Sequence, residues 1–332
     1  MNGSSLARLL MAALLPWTHM SAQEARVFPR GQWEVVSRLE DETGDVFVNP
    51  QRLVHCGWGL VVMDYDDQHL VAVDTALRTR WRFGRRGSGP GEFQQLGGVS
   101  CDASGQLWVL DRGNAKLVRL RSDGRTFSEA RLSVGSRRGE VLARGGHWMG
   151  ITQQGKGEIA TVFDSTGNVV RLVLAVPEVA ALNPAQREAF IATTPEGGAI
   201  IAFRWSSLLL RVSPDGSASV LHAGIGRIPF AEYKAYPTGE RNEAMLRIDP
   251  DAVEAVRTIT VRADTVFVIA PDGSDEDRSI LDLYSIRERR YLESRRLNFT
   301  APSVSSARGE LFVLLQEPTP GIVRLRWTGS TR

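Results

Sequence analysis

The chain has 332 residues, 42% hydrophobic and 23% charged, a globular balance with length enough for a large core. Its net charge of +2 is far from the basic excess of a nucleic-acid binder; lysine occurs only at 116, 156 and 234, so arginine supplies 37 of the 40 basic residues, spread along the whole length. Length alone suggests about two domains, but repeat folds use such a length as one unit.

The first residues read MNGSSLARLLMAALLPWTHMSAQEA. Arg8 supplies a positive start, Leu9 to Leu15 an apolar stretch, and Ser21-Ala22 small residues for cleavage. The expectation is a signal peptide over 1–22 and an exported protein, periplasmic or extracellular. The apolar stretch is too short for a membrane span, which needs ~20 residues, and no other stretch qualifies. Without a cysteine there, no lipid anchor is expected.

Strand-like runs then recur to the end of the chain. WEVVSRL (Trp33 to Leu39) comes first. Residues 53–83 give LVHC, LVVMDY, HLVAVD and RWRF; residues 96–134 give four further runs broken by Asp102–Gly105, Arg112-Gly113-Asn114 and Asp123-Gly124. Equivalent sets occupy 141–174, 190–222 and 258–297, and the last, 302–327, has only three runs. The second run of each set starts near 60, 107, 148, 199, 265 and 310, with gaps of 47, 41, 51, 66 and 45 residues. Propeller repeats span ~40–50 residues, so the 66-residue gap carries an insertion. The spacing predicts an all-β fold: a six-bladed β-propeller of four-stranded antiparallel blades, one domain over 31–328. The N-terminal run pairs into the last blade, closing the ring and removing open sheet edges.

Two connections are long. Residues 175–189 contain Asn183-Pro184-Ala185-Gln186-Arg187-Glu188, and residues 223–257 contain Asp249-Pro250-Asp251-Ala252-Val253-Glu254. Each predicts an N-capped short helix with proline at its first position. Both join an outer strand to the next inner strand, which places them on the face that carries the loops between second and third strands. Long loops in compact domains are often functional.

The segment 84–124, GRRGSGPGEFQQLGGVSCDASGQLWVLDRGNAKLVRLRSDG, resembles NHL-type repeats and the exported bacterial six-bladed propellers related to them. The resemblance rests on the connector Gly87 to Phe93, then Gly98 to Asp102, Gly105 to Asp111, Gly113-Asn114 and Leu117 to Leu120. It is close in the second unit, good in the first, and fades from the third to the sixth. It implies the fold and an exported setting, but no single activity, since members range from binding modules to enzymes.

The glycines of GRRGSGPGEF raise the question of a phosphate loop. Such a loop needs a helix behind it and here a β-run follows, so the segment is expected to turn the chain between blades. Arg85 and Arg86 remain able to meet an anionic ligand. Cys56 and Cys101 end adjacent innermost strands in LVHC and GVSC; two buried thiols are the expectation, with a disulfide, chemically allowed in an exported protein, as the alternative.

NHL-related lyases place several inner-strand histidines on zinc. Of His55, His69, His147 and His222, only His55 reads as an inner-strand residue, so zinc is not expected. Lactonase-like propellers hold a central calcium. Asp64, Asp66, Asp67, Asp111 and Asn114 on second-to-third strand loops are the oxygen donors for that alternative, against a plain turn-forming role. No G-x-S-x-G, H-E-x-x-H or C-x-x-C occurs. The tryptophans at 58, 81, 108, 148, 205 and 327 read mainly as blade packing, with Trp205 beside Arg204 as the candidate for ligand stacking.

The leading expectation is therefore a non-catalytic binding module for a protein or small molecule, monomeric, without cofactor and without nucleic acid. Its candidate contacts are Asp64, Arg86, Asp111, Arg112, Arg204, Trp205, Tyr233, Tyr236 and Arg241. The alternative is a calcium-dependent, lactonase-like hydrolase or lyase using the central channel.

Overall fold

The computed structural model describes residues 25–329 apart from 137, 143–145, 153–156, 184, 226–232, 238–243, 250–251 and 274. The expected leader and Arg241 lie outside the described residues.

The first strand is β1 (Trp33–Glu40). Blade one follows with β2 (Pro50–Cys56), β3 (Gly59–Asp64), β4 (His69–Val73) and β5 (Thr79–Phe83). Blade two is β6 (Leu96–Cys101), β7 (Leu107–Asp111), β8 (Lys116–Leu120) and β9 (Thr126–Arg131). Blade three is β10 (Arg138–Val141), β11 (Trp148–Ile151), β12 (Glu158–Phe163) and β13 (Val169–Leu174). A single helical turn, α1 (Pro177–Ala180), leads to blade four: β14 (Ala189–Thr193), β15 (Ala199–Phe203), β16 (Leu209–Val212) and β17 (Ala218–His222). The insertion after it holds a hairpin of β18 (Tyr233–Pro237) and β19 (Ala244–Ile248). Blade five is β20 (Thr258–Arg262), β21 (Thr265–Asp272), β22 (Asp275–Ser285) and β23 (Arg290–Leu297). The chain then adds β24 (Ser303–Ala307), β25 (Glu310–Leu315) and β26 (Gly321–Trp327).

These strands form six antiparallel four-stranded sheets in a ring, a β-propeller. The innermost strands contact one another in the order β2, β6, β10, β14, β20, β24 and back to β2. Blade six borrows its outer strand from the other end of the chain: its order is β24-β25-β26-β1, with Trp33 opposite Trp327 and Glu40 opposite Gly321. The expected closure is the one observed. The second strands start at 59, 107, 148, 199, 265 and 310, within one residue of expectation.

The core is divided between the blades. On β25, Phe312 and Leu314 pack with Leu60, Val62 and Val71 of blade one. Leu311 and Val313, on the other side of the same strand, pack with Ile269, Leu281 and Leu283 of blade five. A strand alternates its side chains between two faces. Both faces here are covered by a neighbouring blade, so the second strands read as unbroken apolar runs.

The innermost strands also have an edge to satisfy. A buried N–H without a partner is costly, and hydroxyls of adjacent blades supply acceptors. Ser100 accepts from Val141 N–H at 2.7 Å, Ser303 from Leu53 N–H and Ser305 from His55 N–H, each at 3.0 Å. Blade three departs from the expected inner strand at VLAR: β10 lies three residues upstream. That register presents Arg138 and Glu140, because an innermost strand lines a polar channel and need not be an apolar run.

The two expected helices are corrected. Near 183–188 the capping bonds do form, Gln186 N–H to Asn183 Oδ1 at 2.9 Å and Asn183 N–H to Gln186 Oε1 at 3.2 Å. The chain must enter β14 at Ala189, however, and a helix cannot propagate in that space. The helical turn lies earlier, with Pro177 in its first turn. Around 249–256 the described residues are not helical: Ala255 and Val256 give their N–H groups to the Arg204 carbonyl at 2.7 and 3.2 Å, across to blade four.

The 84–93 segment turns the chain between blades one and two and leads directly into β6. It folds over Phe93, which is fully buried; Phe93 N–H reaches the Arg85 carbonyl at 2.9 Å. Gly84 has φ +95°, and a Cβ there would lie 2.6 Å from the Phe93 ring. Positive φ and close approach make that glycine necessary.

Cys56 and Cys101 are joined in a disulfide, Cα atoms 5.5 Å apart, across the inner ends of blades one and two. The bond spans 45 residues. Chain-entropy arguments predict that Cys56→Ser or Cys101→Ser lowers unfolding free energy by about 3–4 kcal/mol. Urea denaturation measures this, and unreduced, denatured wild-type protein should show no titratable thiol.

Candidate functional site

In an antiparallel blade, the loops between second and third strands emerge on the same face as the blade-to-blade connections. At the centre of that face is a concave mouth of about 630 Å³, continuous in lining with the channel through Arg52 and Thr258. All six blades contribute. Asn49, Arg52 and Tyr65 come from blade one, Leu96 and Arg112 from blade two, and Arg138 from blade three. Phe190 and Arg204 come from blade four, Arg257 and Thr258 from blade five, and Pro302 and Gln316 from the side of blade six. The volume lies within the ~300–1,000 Å³ usual for small-molecule sites.

Five arginines dominate the mouth. Arg138, Arg204 and Arg257 alternate with carboxylates in a ladder across blades three to five. Glu188 Oε1 accepts from Arg138 Nη2 at 3.3 Å and from Arg204 Nη1 at 3.0 Å. Glu254 accepts from Arg204 Nε at 2.7 Å and from Arg257 Nε at 3.3 Å. Arg138 also lies over the Phe190 ring, 4.2 Å from its centroid. Deeper, Arg52 pairs with Glu140, whose other oxygen accepts the Thr193 N–H at 3.0 Å. That pair ties blades one, three and four together. Arg112 is exposed and donates to the Tyr65 hydroxyl at 3.1 Å, a hydroxyl also held by Gln95 at 2.8 Å.

The electrostatics follow from this packing. Burial pushes Arg52 down to about 10, and Arg138 nearby adds to the effect. Arg138 is also lowered, by burial and by Arg204 and Arg112, despite Glu188. Burial acts to raise Glu188, but Arg204 and Arg138, with the Trp205 hydrogen bond, outweigh it and hold its carboxyl below the ordinary range.

Several expected contacts have other work. Asp64 is fully buried: its carboxylate takes the N–H groups of Val48 at 2.7 Å and Asn49 at 3.0 Å. Asp111, also fully buried, takes those of Gln94, Gln95, Gly113 and Asn114, plus the Asn114 amide. These two equivalent aspartates pin the connector entering each inner strand, and they do not face a ligand. Trp205 is corrected likewise: it is 8% exposed and its indole N–H donates to Glu188 at 3.2 Å, so it supports the ladder from beneath. Arg86 reaches the Asp66 carbonyl at 2.9 Å, bracing the loop beside the mouth. Arg112 and Arg204 do line the mouth. Tyr233 and Tyr236 sit on β18 of the insertion hairpin.

Two of the five donors named for the calcium alternative, Asp64 and Asp111, are engaged elsewhere, by backbone N–H groups. Among the described residues no three His, Cys, Asp or Glu side chains group as a metal site. Sequence reasoning missed Arg52, Arg138, Arg257, Glu188 and Glu254. The available signal was an arginine recurring just before or within the first three residues of an innermost strand, in PQRLVHC, RGEV and RTITVR.

No family model and no curated protein matches the chain. Solved structures match its fold. A protein of Bacteroides fragilis described as exported superposes with TM-score 0.57 at 13% identity, covering 90% of this chain and 95% of that one. A DUF4221 member from Bacteroides vulgatus gives 0.57 at 9% identity, with 90% and 99% covered. Streptogramin B lyase gives 0.51 at 10% identity, with 89% and 98% covered. At such identities the likeness is one of fold.

Two consequences follow. Asp111→Ala strands several N–H groups at once and should cost about 3 kcal/mol in urea unfolding. Glu188 has a depressed folded pKa, so its contribution is complete above its unfolded value near 4.5 and is lost as pH falls through the folded value. Glu188→Gln should therefore flatten the fall of melting temperature with pH below about 4.5.

Proposed function

We propose that the chain is an exported, monomeric ligand-binding propeller whose ligand seats in the mouth on the insertion-bearing face. The observation carrying this is the convergence of all six blades on one concave site with polar groups fixed by rigid strands. The wall is mixed: Met63, Leu96, Phe190 and Pro302 give it apolar area, and the arginine ladder, Tyr65 and Gln316 give it directional donors and acceptors. That is the usual composition of a small-molecule site. The long connections 175–189 and 223–257 leave from the same face, and Glu188 and Glu254 near their ends join the ladder. The leader-like first residues, the NHL-type resemblance and the exported Bacteroides neighbour support export. The lyase neighbour is an enzyme on the same fold; the ionisable groups of this mouth pair with one another, Arg138 and Arg204 with Glu188 and Arg204 and Arg257 with Glu254, and we read them as a binding wall.

A crystallographic fragment screen of the mature chain, including uncharged compounds, tests it. Hits should gather at the mouth, and Tyr65→Ala and Arg204→Ala should weaken the best of them by ~10-fold, about 1.4 kcal/mol. Hits gathered elsewhere, with the mouth empty, would reject the reading.

A further inference from the structure

We infer that the ligand taken at this mouth is a small organic anion bearing a carboxylate or phosphate group, gripped on one side by Arg52, Arg112 and Arg138. The inference rests on the mouth being the binding site and goes on to name what it binds.

The argument is one of charge and of unspent donors. The ladder Arg138–Glu188–Arg204–Glu254–Arg257 has three cations for two anions. Arg52 is matched by Glu140 alone. Arg112 has a phenol as its partner and no carboxylate among the described residues. Asp66, an exposed residue of the lining, offsets one charge at most, so the mouth is cationic. The excess is not spread evenly. Both carboxylates of the ladder bind Arg204, which leaves Arg257 and Arg204 well matched toward blades four and five. The uncompensated charge gathers toward blades one to three.

The donors point the same way. A guanidinium carries five N–H groups. Arg52 spends one nitrogen on Glu140, and its Nε is buried with no hydrogen-bond partner. Arg112 spends Nη2 on Tyr65, and Arg138 spends Nη2 on Glu188. A buried donor left unmade is costly, and an oxyanion presenting two oxygens side by side, as a carboxylate or a phosphate does, is the partner whose geometry matches a guanidinium fork. Burial and the nearness of Arg204 and Arg112 lower the basicity of Arg138, and Arg138 in turn lowers that of Arg52; an anion seated among them relieves this crowding. The volume, far larger than a bare oxyanion, and the apolar wall of Met63, Leu96 and Phe190 ask for an organic body attached to the charge.

The test is titration calorimetry on the mature chain in low-salt, chloride-poor buffer, with citrate for the carboxylate arm, pyrophosphate for the phosphate arm and glucose as neutral control. At least one anion should bind with Kd below about 1 mM and weaken as salt rises, whereas glucose should not bind. Arg112→Gln and Arg138→Gln should each weaken it by ~10-fold, and Arg112→Gln, outside the ladder, should do so with melting temperature little changed. Arg125→Gln removes the same charge from the opposite face and should leave binding intact. Equal losses in Arg125→Gln and Arg138→Gln would show diffuse attraction and overturn the assignment. No anion bound at several Kd of this scale, with uncharged fragments still found at the mouth, would overturn the anion class and leave the binding site standing; an empty mouth in both experiments would remove both.

Discussion

The ring depends on one pairing, β1 along β26. Every other blade is built from consecutive strands, so it can form from local hairpins. Blade six cannot: its outer strand comes from about 290 residues earlier in the chain, Trp33 pairing with Trp327. Without it, β26 would present an open edge and the inner faces of blades five and six would lose their register. The seam is reinforced from outside. Trp33 and Trp327 meet edge to face, 5.1 Å apart, and Arg295 of blade five lies over both rings. Just before β1, Arg26 forms a two-pronged bond to the buried Asp282, and the Val27 carbonyl takes the Ser294 N–H at 2.8 Å. The N-terminal segment thus ties blade five to blade six before it closes the ring.

Closure explains how charge can sit at the centre. Six innermost strands held at fixed spacing bring residues at or near their starts to one central mouth. Arg52, Arg138 and Arg257 meet there although each is remote from the others in sequence. Isolated, such buried cations would be expensive, and the fold compensates with Glu140, Glu188 and Glu254, each bridging different blades. The same pairs that make the mouth tolerable also lock neighbouring blades in place. Trp205 adds to this support through its bond to Glu188, and the Arg204 carbonyl holds the Ala255 and Val256 N–H groups, so the loop residues of the ladder are fixed from beneath and from across the blade.

Fold and function separate here in a familiar way. The structures most like this one include an exported protein and a lyase, and the likeness says nothing about which chemistry the chain performs. The site argument rests on particular side chains. The connectors most like NHL repeats turn out to be structural: Asp64 and Asp111 are spent on backbone N–H groups, and the glycine-rich 84–93 segment is a turn over Phe93. The resemblance was strongest where residues hold the repeat together, and it had faded at Arg138, Arg204 and Arg257 of the ladder.

The sequence by itself determined the architecture. Apolar runs of period two, turn residues between them and a spacing near 45 residues specify strands, hairpins and blades, because these are local properties of a chain. The three-run last unit and the orphan run at Trp33 even specified the closure, whereas the matched positions of Cys56 and Cys101 allowed a bond without deciding it. The tertiary structure decided the rest. Whether Asn183 and Asp249 start helices depended on where β14 begins and on the Arg204 carbonyl across the blade, neither of which is local. Whether Trp205 stacks on a ligand or hides beneath Glu188 depended on burial. Above all, the mouth is made by six segments brought together by ring closure, and no window of sequence contains the charge balance that exists only when they meet.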